Sequence, residues 1–172
     1  TPGYKLKLHS MTALYAGSFD PITYGHLDIL ERATHLFNKV YITIAVNNRK
    51  KTIFTPEERR DLILECISGQ DWATKVEVDM FTGLLVHHAE RLNVKTLVRG
   101  VRQISDFEYE FRMALMNRKL SPKLDTIFLM PREELTFVSA SLVKEVAYWG
   151  GDLTHFVPEN VAKALAAAKD RL

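Results

Sequence analysis

The chain has 172 residues, 47% of them hydrophobic and 26% charged, and Cys66 is its single cysteine. A chain of that length buries about two thirds of its unfolded surface in one compact domain. The apolar content excludes disorder, the lone thiol excludes an internal disulfide framework, and no run reaches the ~18 apolar residues of a membrane-crossing helix.

The formal charge of +2 comes from 23 Lys and Arg against 21 Asp and Glu. All of that excess sits in Lys5 and Lys7 of the opening decapeptide TPGYKLKLHS, which has no acid. Residues 1–10 lack the apolar core and cleavage site of a secretory signal and precede an internal Met11. They read as a leader introduced by cloning, with a natural extension as the alternative, and residues 11–172 read as one domain. Neutral balance, one thiol and no targeting address lead us to expect a soluble cytoplasmic protein. The missing basic excess argues against a general nucleic-acid binder.

From Met11 onward the pattern is strand, then helix, repeated. Thr12–Gly17 is a short apolar run ending in glycine. His26–Phe37 puts Leu27, Leu30, Ala33, Leu36 and Phe37 close to one helical face. Val40–Val46, rich in β-branched residues, reads as a buried strand. Pro56 opens the next helix, with Thr55 as N-cap and Glu57 and Glu58 at the favourable end of the dipole. Lys75–Phe81 reads as a strand, Leu84–Leu92 as a helix, and Thr96–Val98 as a brief strand. Phe107–Leu120 reads as a helix and Thr126–Met130 as a fifth strand. Helices over Ser141–Trp149 and Pro158–Leu172 finish the chain. Cys66, flanked by Leu64 and Ile67, reads as core.

Five apolar strands separated by helices predict an α/β fold: a Rossmann-like, doubly wound, five-stranded parallel sheet with helices on both faces. Ligands in such folds bind beyond the carboxyl ends of the strands. The first strand runs there into Gly17-Ser18-Phe19-Asp20-Pro21-Ile22-Thr23-Tyr24-Gly25-His26. Such a loop folding over a helix N-terminus favours phosphate. On spacing alone, an ordinary turn with a capping histidine is the better reading, since the run is neither of the familiar glycine-rich phosphate loops.

The run Gly17–Pro21 followed by Thr23-Tyr24-Gly25-His26 resembles the signature of the nucleotidyltransferase superfamily, whose (H/T)-x-G-H motif opens the first helix. Further blocks extend the likeness: Lys50-Lys51, Arg99-Gly100-Val101-Arg102, Asp106–Glu110, Phe128–Pro131, Ser139–Glu145 and Phe156–Asn160. In this order they resemble the bacterial phosphopantetheine adenylyltransferase family. The resemblance implies in-line attack by 4′-phosphopantetheine on the α-phosphorus of ATP, giving dephospho-CoA and pyrophosphate with no covalent enzyme intermediate. It also implies Mg2+ arriving with ATP and a homohexamer.

By the same resemblance His26 is the transition-state stabiliser, expected as a doubly protonated donor, with Lys50 and Arg99 as the cations on the acceptor phosphate. Ser18 touches both substrates, standing where the family usually has Thr. Phe19, Gly100, Val101, Arg102 and Glu110 fall to ATP. So do Leu135, Thr136, Phe137 and Val138 on the adenine side, and Ser139, Ala140 and Ser141 at the β- and γ-phosphates. Ala140 replaces a usual serine, and Leu135 a frequent aromatic. Leu85 meets the pantetheine arm, with a plain core leucine as the alternative. Asp20 is open between loop capping and the metal–nucleotide. His87 and His88 diverge by about 100° on a helix, and His35 and His155 have no cluster, so no metal site built from protein side chains is expected. Alternatives are another small-molecule adenylyl- or cytidylyltransferase, or a non-catalytic nucleotide-binding regulator. No nucleic-acid or membrane partner is expected.

Overall fold

The computed structural model describes residues 11–172; the leader expected over residues 1–10 lies outside them. Alternation in the first strand explains the layering. In β1 (Thr12–Gly17), Ala13 and Tyr15 face one side while Leu14 and Ala16 face the other, and all four are buried. A strand buried on both faces belongs in the middle of a covered sheet. Accordingly β1 lies between β2 (Lys39–Ala45) and β4 (Thr96–Gly100), pairing Ala13 with Val40 on one side and with Thr96 on the other. With β3 (Val76–Phe81) and β5 (Asp125–Leu129) at the edges, the all-parallel order is β3-β2-β1-β4-β5.

The chain winds outward through β2 and β3, then returns past β1 to β4. The order therefore reverses between β1 and β4, and there the carboxyl ends leave a crevice. One face of the sheet packs Ile29, Leu30 and Ala33 of α1 (Tyr24–Leu36) and Ile63 of α2 (Pro56–Ile67). Val143 of α5 (Ala140–Tyr148) and Val161 and Leu165 of α6 (Glu159–Ala167) complete that core. The other face packs Val86 and Ala89 of α3 (Leu85–Arg91) against Leu14, Ala16 and Leu97. The remaining helix, α4 (Ile104–Leu120), has no buried residue.

Thr55 caps α2 as expected, in a capping box with Glu58. Boundaries shift by a few residues elsewhere. Helix α1 begins at Tyr24 with Thr23 as its cap, so His26 is its third residue. Strand β4 reaches Gly100, making Arg99 a strand residue. Two short 3-10 segments, Asp71–Lys75 and Glu133–Leu135, carry no apolar period and were not expected. No helix among the described residues is long and apolar enough to cross a membrane.

Candidate active site

Beyond β1 and β4 lies a cavity of about 440 Å3. It is lined by Ser18 and Phe19 from the β1–α1 loop, His26 from α1, Arg99, Gly100 and Arg102 around the end of β4, and Glu110 from α4. Val138, Ser139, Ala140 and Ser141, entering α5, close the far wall. Eleven of the sequence-expected residues thus share one wall-to-wall hollow.

The main chain sets the state of His26. The Thr23 N–H donates to His26 Nδ1 at 3.1 Å, while Thr23 Oγ1 accepts from the His26 N–H at 3.4 Å. An imidazole whose Nδ1 accepts carries its proton on Nε2, and Nε2 has no partner among the described residues. Burial, helped by the positive charges of Arg102 and Arg99, pulls the His26 pKa from 6.5 down to about 4. The doubly protonated donor expected from the resemblance is therefore corrected: near neutral pH the ring is neutral and donates one N–H. The reason is that burial penalises the charged ring, and the guanidiniums of Arg102 and Arg99 in the same small volume add to that penalty.

The ring is also wedged in place. Phe19 packs edge-on against His26 at 5.1 Å and against Tyr15 at 5.3 Å. Phe19 adopts φ 47°, a left-handed conformation uncommon outside glycine. Its ring lies so close to Gly17 that a Cβ there would meet Phe19 Cζ at 3.0 Å. Glycine at position 17 is what admits the wedge. Burial raises the Tyr15 phenol well above its ordinary value, so it stays protonated in the cavity wall.

The two arginines differ in freedom. Arg99 is gripped by Glu110 through Nε to Oε2 at 2.8 Å and Nη2 to Oε1 at 2.6 Å, and it also donates to the Ala16 carbonyl. Burial alone would lower its pKa, but the Glu110 carboxylate reverses that and the guanidinium ends above its ordinary value. Arg102 donates to the Val138 carbonyl at 2.7 Å and to Asp106 at 3.2 Å, bridging β4 to the α5 approach. At the head of α5, Ser139 Oγ accepts from the Leu142 N–H at 3.1 Å. Ala140 and Ser141, the first two residues of this nine-residue helix, line the hollow, and a helix N-terminus there is a favourable setting for anions.

Other expected residues lie outside the cavity wall. Lys50 is exposed on the turn after β2. Leu85 lines a neighbouring hollow of about 110 Å3, which shares Arg99, Tyr109 and Glu110 with the main one. Val101 is buried behind the wall. Leu135, Thr136 and Phe137 form the approach to α5, with Phe137 edge-on to Phe156 at 6.0 Å. Asp20 is a loop anchor: its two oxygens accept the N–H groups of Ile53 and Phe54, both at 2.9 Å, and Lys144 stands 3.6 Å away.

Sequence reasoning missed the buried groups that hold the loops. Asp28 accepts from Arg32 Nε at 2.8 Å and from the N–H and Nε of Arg132 at 3.0 and 2.8 Å, pinning the segment after β5 to α1. Arg59 donates to the Ser18 carbonyl at 2.8 Å. A charged residue at a core-facing helix position, Arg59 beside Leu62 and Ile63, is the one signal that pointed there.

A cytidylyltransferase-like family profile matches residues 14–146. The phosphopantetheine adenylyltransferase of Caldanaerobacter subterraneus subsp. tengcongensis is 47% identical over 153 residues, covering 89% of this chain and 94% of the relative. That of Thermotoga neapolitana is 48% identical over 155 residues, covering 90% and 94%. Among solved structures, a Vibrio parahaemolyticus protein assigned as a nicotinate-nucleotide adenylyltransferase superposes with a TM-score of 0.69 at 16% identity, over 95% of this chain and 96% of its own. Plasmodium falciparum nicotinic acid mononucleotide adenylyltransferase gives 0.66 at 16%, over 95% and 94%. At such identities the structures speak for the fold, while the two curated relatives speak for the family.

Proposed function

Because the chain belongs to the phosphopantetheine adenylyltransferase family, we propose that it transfers the adenylyl group of ATP to 4′-phosphopantetheine, releasing pyrophosphate and forming dephospho-CoA. An oxygen of the acceptor phosphate bonds to the α-phosphorus, and the bond from that phosphorus to the bridging β-phosphate oxygen breaks. No enzyme nucleophile takes part. The protein's task is alignment of two anions and stabilisation of the charge that grows between them.

The observation that carries this reading is the convergence of the His26 Nε2–H, two guanidiniums and the α5 N-terminus on one cavity at the sheet's switch point. His26 donates to the reacting phosphate, Arg102 and the Ser139–Ser141 turn hold the polyphosphate, and Ser18 and Arg99 hold the acceptor phosphate. The hollow beside Leu85 continues from Arg99 and suits the pantetheine arm. Lys50, exposed on the turn after β2, is the further cation for an incoming dianion.

The cavity's own carboxylates, Asp106 and Glu110, are each paired with an arginine. That donor set fits a magnesium ion carried by the nucleotide's phosphates and water better than one caged by side chains. When bound, such an ion neutralises phosphate charge.

The test is pyrophosphate release from protein, Mg-ATP and 4′-phosphopantetheine, with His26→Ala in parallel. We expect release by the unsubstituted protein and a loss of roughly 100-fold or more in the variant. Release with nicotinamide mononucleotide in place of phosphopantetheine would overturn the acceptor assignment.

We also propose that copies of the chain associate through α4, as the family's hexamer implies. Phe107, Phe111, Leu115, Met116 and Leu120 are exposed on that helix, and Phe107 and Phe111 continue an aromatic cluster with Phe128 of β5. A patch of that apolar character on a folded chain is the mark of an interface.

A further inference from the structure

Arg59 is 2% exposed and touches neither the cavity nor solvent. A buried guanidinium is unfavourable unless its donors are used. Here Nη1 donates to the Ser18 carbonyl at 2.8 Å, and Nε to the Thr55 carbonyl at 3.3 Å. The Asp20 carboxylate, two residues beyond Ser18, lies near enough for its charge to favour the cation. Asp20 in turn accepts the N–H groups of Ile53 and Phe54. One buried network therefore ties the β1–α1 loop to the β2–α2 loop and to the first turn of α2.

The bond to Ser18 matters because of where the other half of that peptide points. A trans peptide carries its C=O and N–H in opposite directions. With the Ser18 carbonyl turned back onto Arg59, the Phe19 N–H faces the other way, and both residues line the cavity. Phe19 N–H has no acceptor among the described residues. The same peptide precedes the left-handed Phe19, whose ring braces His26. A flip of that peptide would turn a carbonyl oxygen toward the phosphates and shift the brace together.

We propose that Arg59 is a positioning residue for adenylyl transfer: it locks the Ser18–Phe19 peptide so that a backbone N–H, not a carbonyl, meets the nucleotide phosphates. This rests on the reading of the cavity as a nucleotide site. Arg59→Met removes both donors at similar bulk, while Arg59→Lys keeps the charge but cannot reach both carbonyls. Each variant is checked for cooperative thermal unfolding and titrated with Mg-ATP by calorimetry. The kcat and the KM for both substrates are then measured by pyrophosphate release.

We expect Arg59→Met to bind ATP about tenfold more weakly and to lose roughly 10- to 100-fold in kcat, the scale of a small misplacement of reacting groups. Arg59→Lys should fall between it and the unsubstituted protein. A folded Arg59→Met with ATP Kd and kcat within twofold of the unsubstituted protein overturns the proposal. So does a loss of kcat at unchanged ATP Kd, the signature of a smaller active fraction. Should Arg59→Met not fold, Arg59→Lys carries the same comparison, and an ATP Kd within twofold overturns the proposal. A protein inactive with phosphopantetheine whose ATP affinity still depends on Arg59 refutes the acceptor assignment alone.

Discussion

Three neighbours decide how His26 works: the Thr23 N–H on Nδ1, and Arg99 and Arg102 across the cavity. With a pKa of about 4 in the fold against 6.5 when unfolded, the ring takes up a proton on unfolding at mildly acid pH. Its contribution to stability is therefore complete above pH 6.5 and lost as pH falls toward 4, on the order of 1–3 kcal/mol. Denaturant unfolding at pH 7.5 and pH 5 should show that loss, and His26→Gln should flatten the difference. The same neutrality predicts no inflection from His26 in kcat/KM for pyrophosphate release between pH 6 and 8. An inflection there that disappears in His26→Gln would contradict the assignment.

Among the elements, α1 joins a cap to a reactive ring. Its capping box uses Thr23 as N-cap and a histidine at the third position, so the group that ends the helix also orients the imidazole. Thr23→Val removes the hydroxyl acceptor but keeps the main-chain N–H that fixes Nδ1. We expect a loss of about 1 kcal/mol, seen as a Tm lower by ~2–4 °C, with kcat within a few-fold of the unsubstituted protein. A collapse of kcat at near-normal Tm would mean that the hydroxyl itself sets the ring. Much of this element was legible beforehand, because the apolar period of Leu27, Leu30 and Ala33 and the Gly25-His26 pair are local features. The start at Tyr24 was less so, since capping by Thr23 depends on a loop path that periodicity does not report.

At the scale of the molecule, α4 is the anomaly. It packs on β5 along one side, yet Phe111, Leu115, Met116 and Leu120 remain exposed. Burying that face in a neighbouring copy would contribute roughly 25 cal/mol for each Å2 of apolar surface covered. Sedimentation equilibrium should therefore give a mass well above the 19.7 kDa of one chain. Met116→Lys combined with Leu120→Lys should shift it toward the monomer while the unfolding transition stays cooperative. A monomeric unsubstituted protein would refute association through this face.

The pattern of apolar runs determined the parallel sheet by itself, because a strand covered on both faces must be apolar along its length, as Ala13–Ala16 is. Motif order likewise marked His26, Arg99, Arg102 and Ser139–Ser141, which the fold gathers at one cavity although up to 123 positions separate Ser18 from Ser141. Tertiary structure alone decided their chemical states. That Arg99 is held by Glu110, that Asp20 anchors backbone and that His26 is neutral depend on which charges become neighbours when solvent leaves. The same holds for α4: periodicity does not tell an exposed apolar face from core, and only the folded chain reveals that its apolar residues have no core to enter. Local periodicity carries the propensity for an element, whereas pairing and desolvation arise between segments distant in the chain.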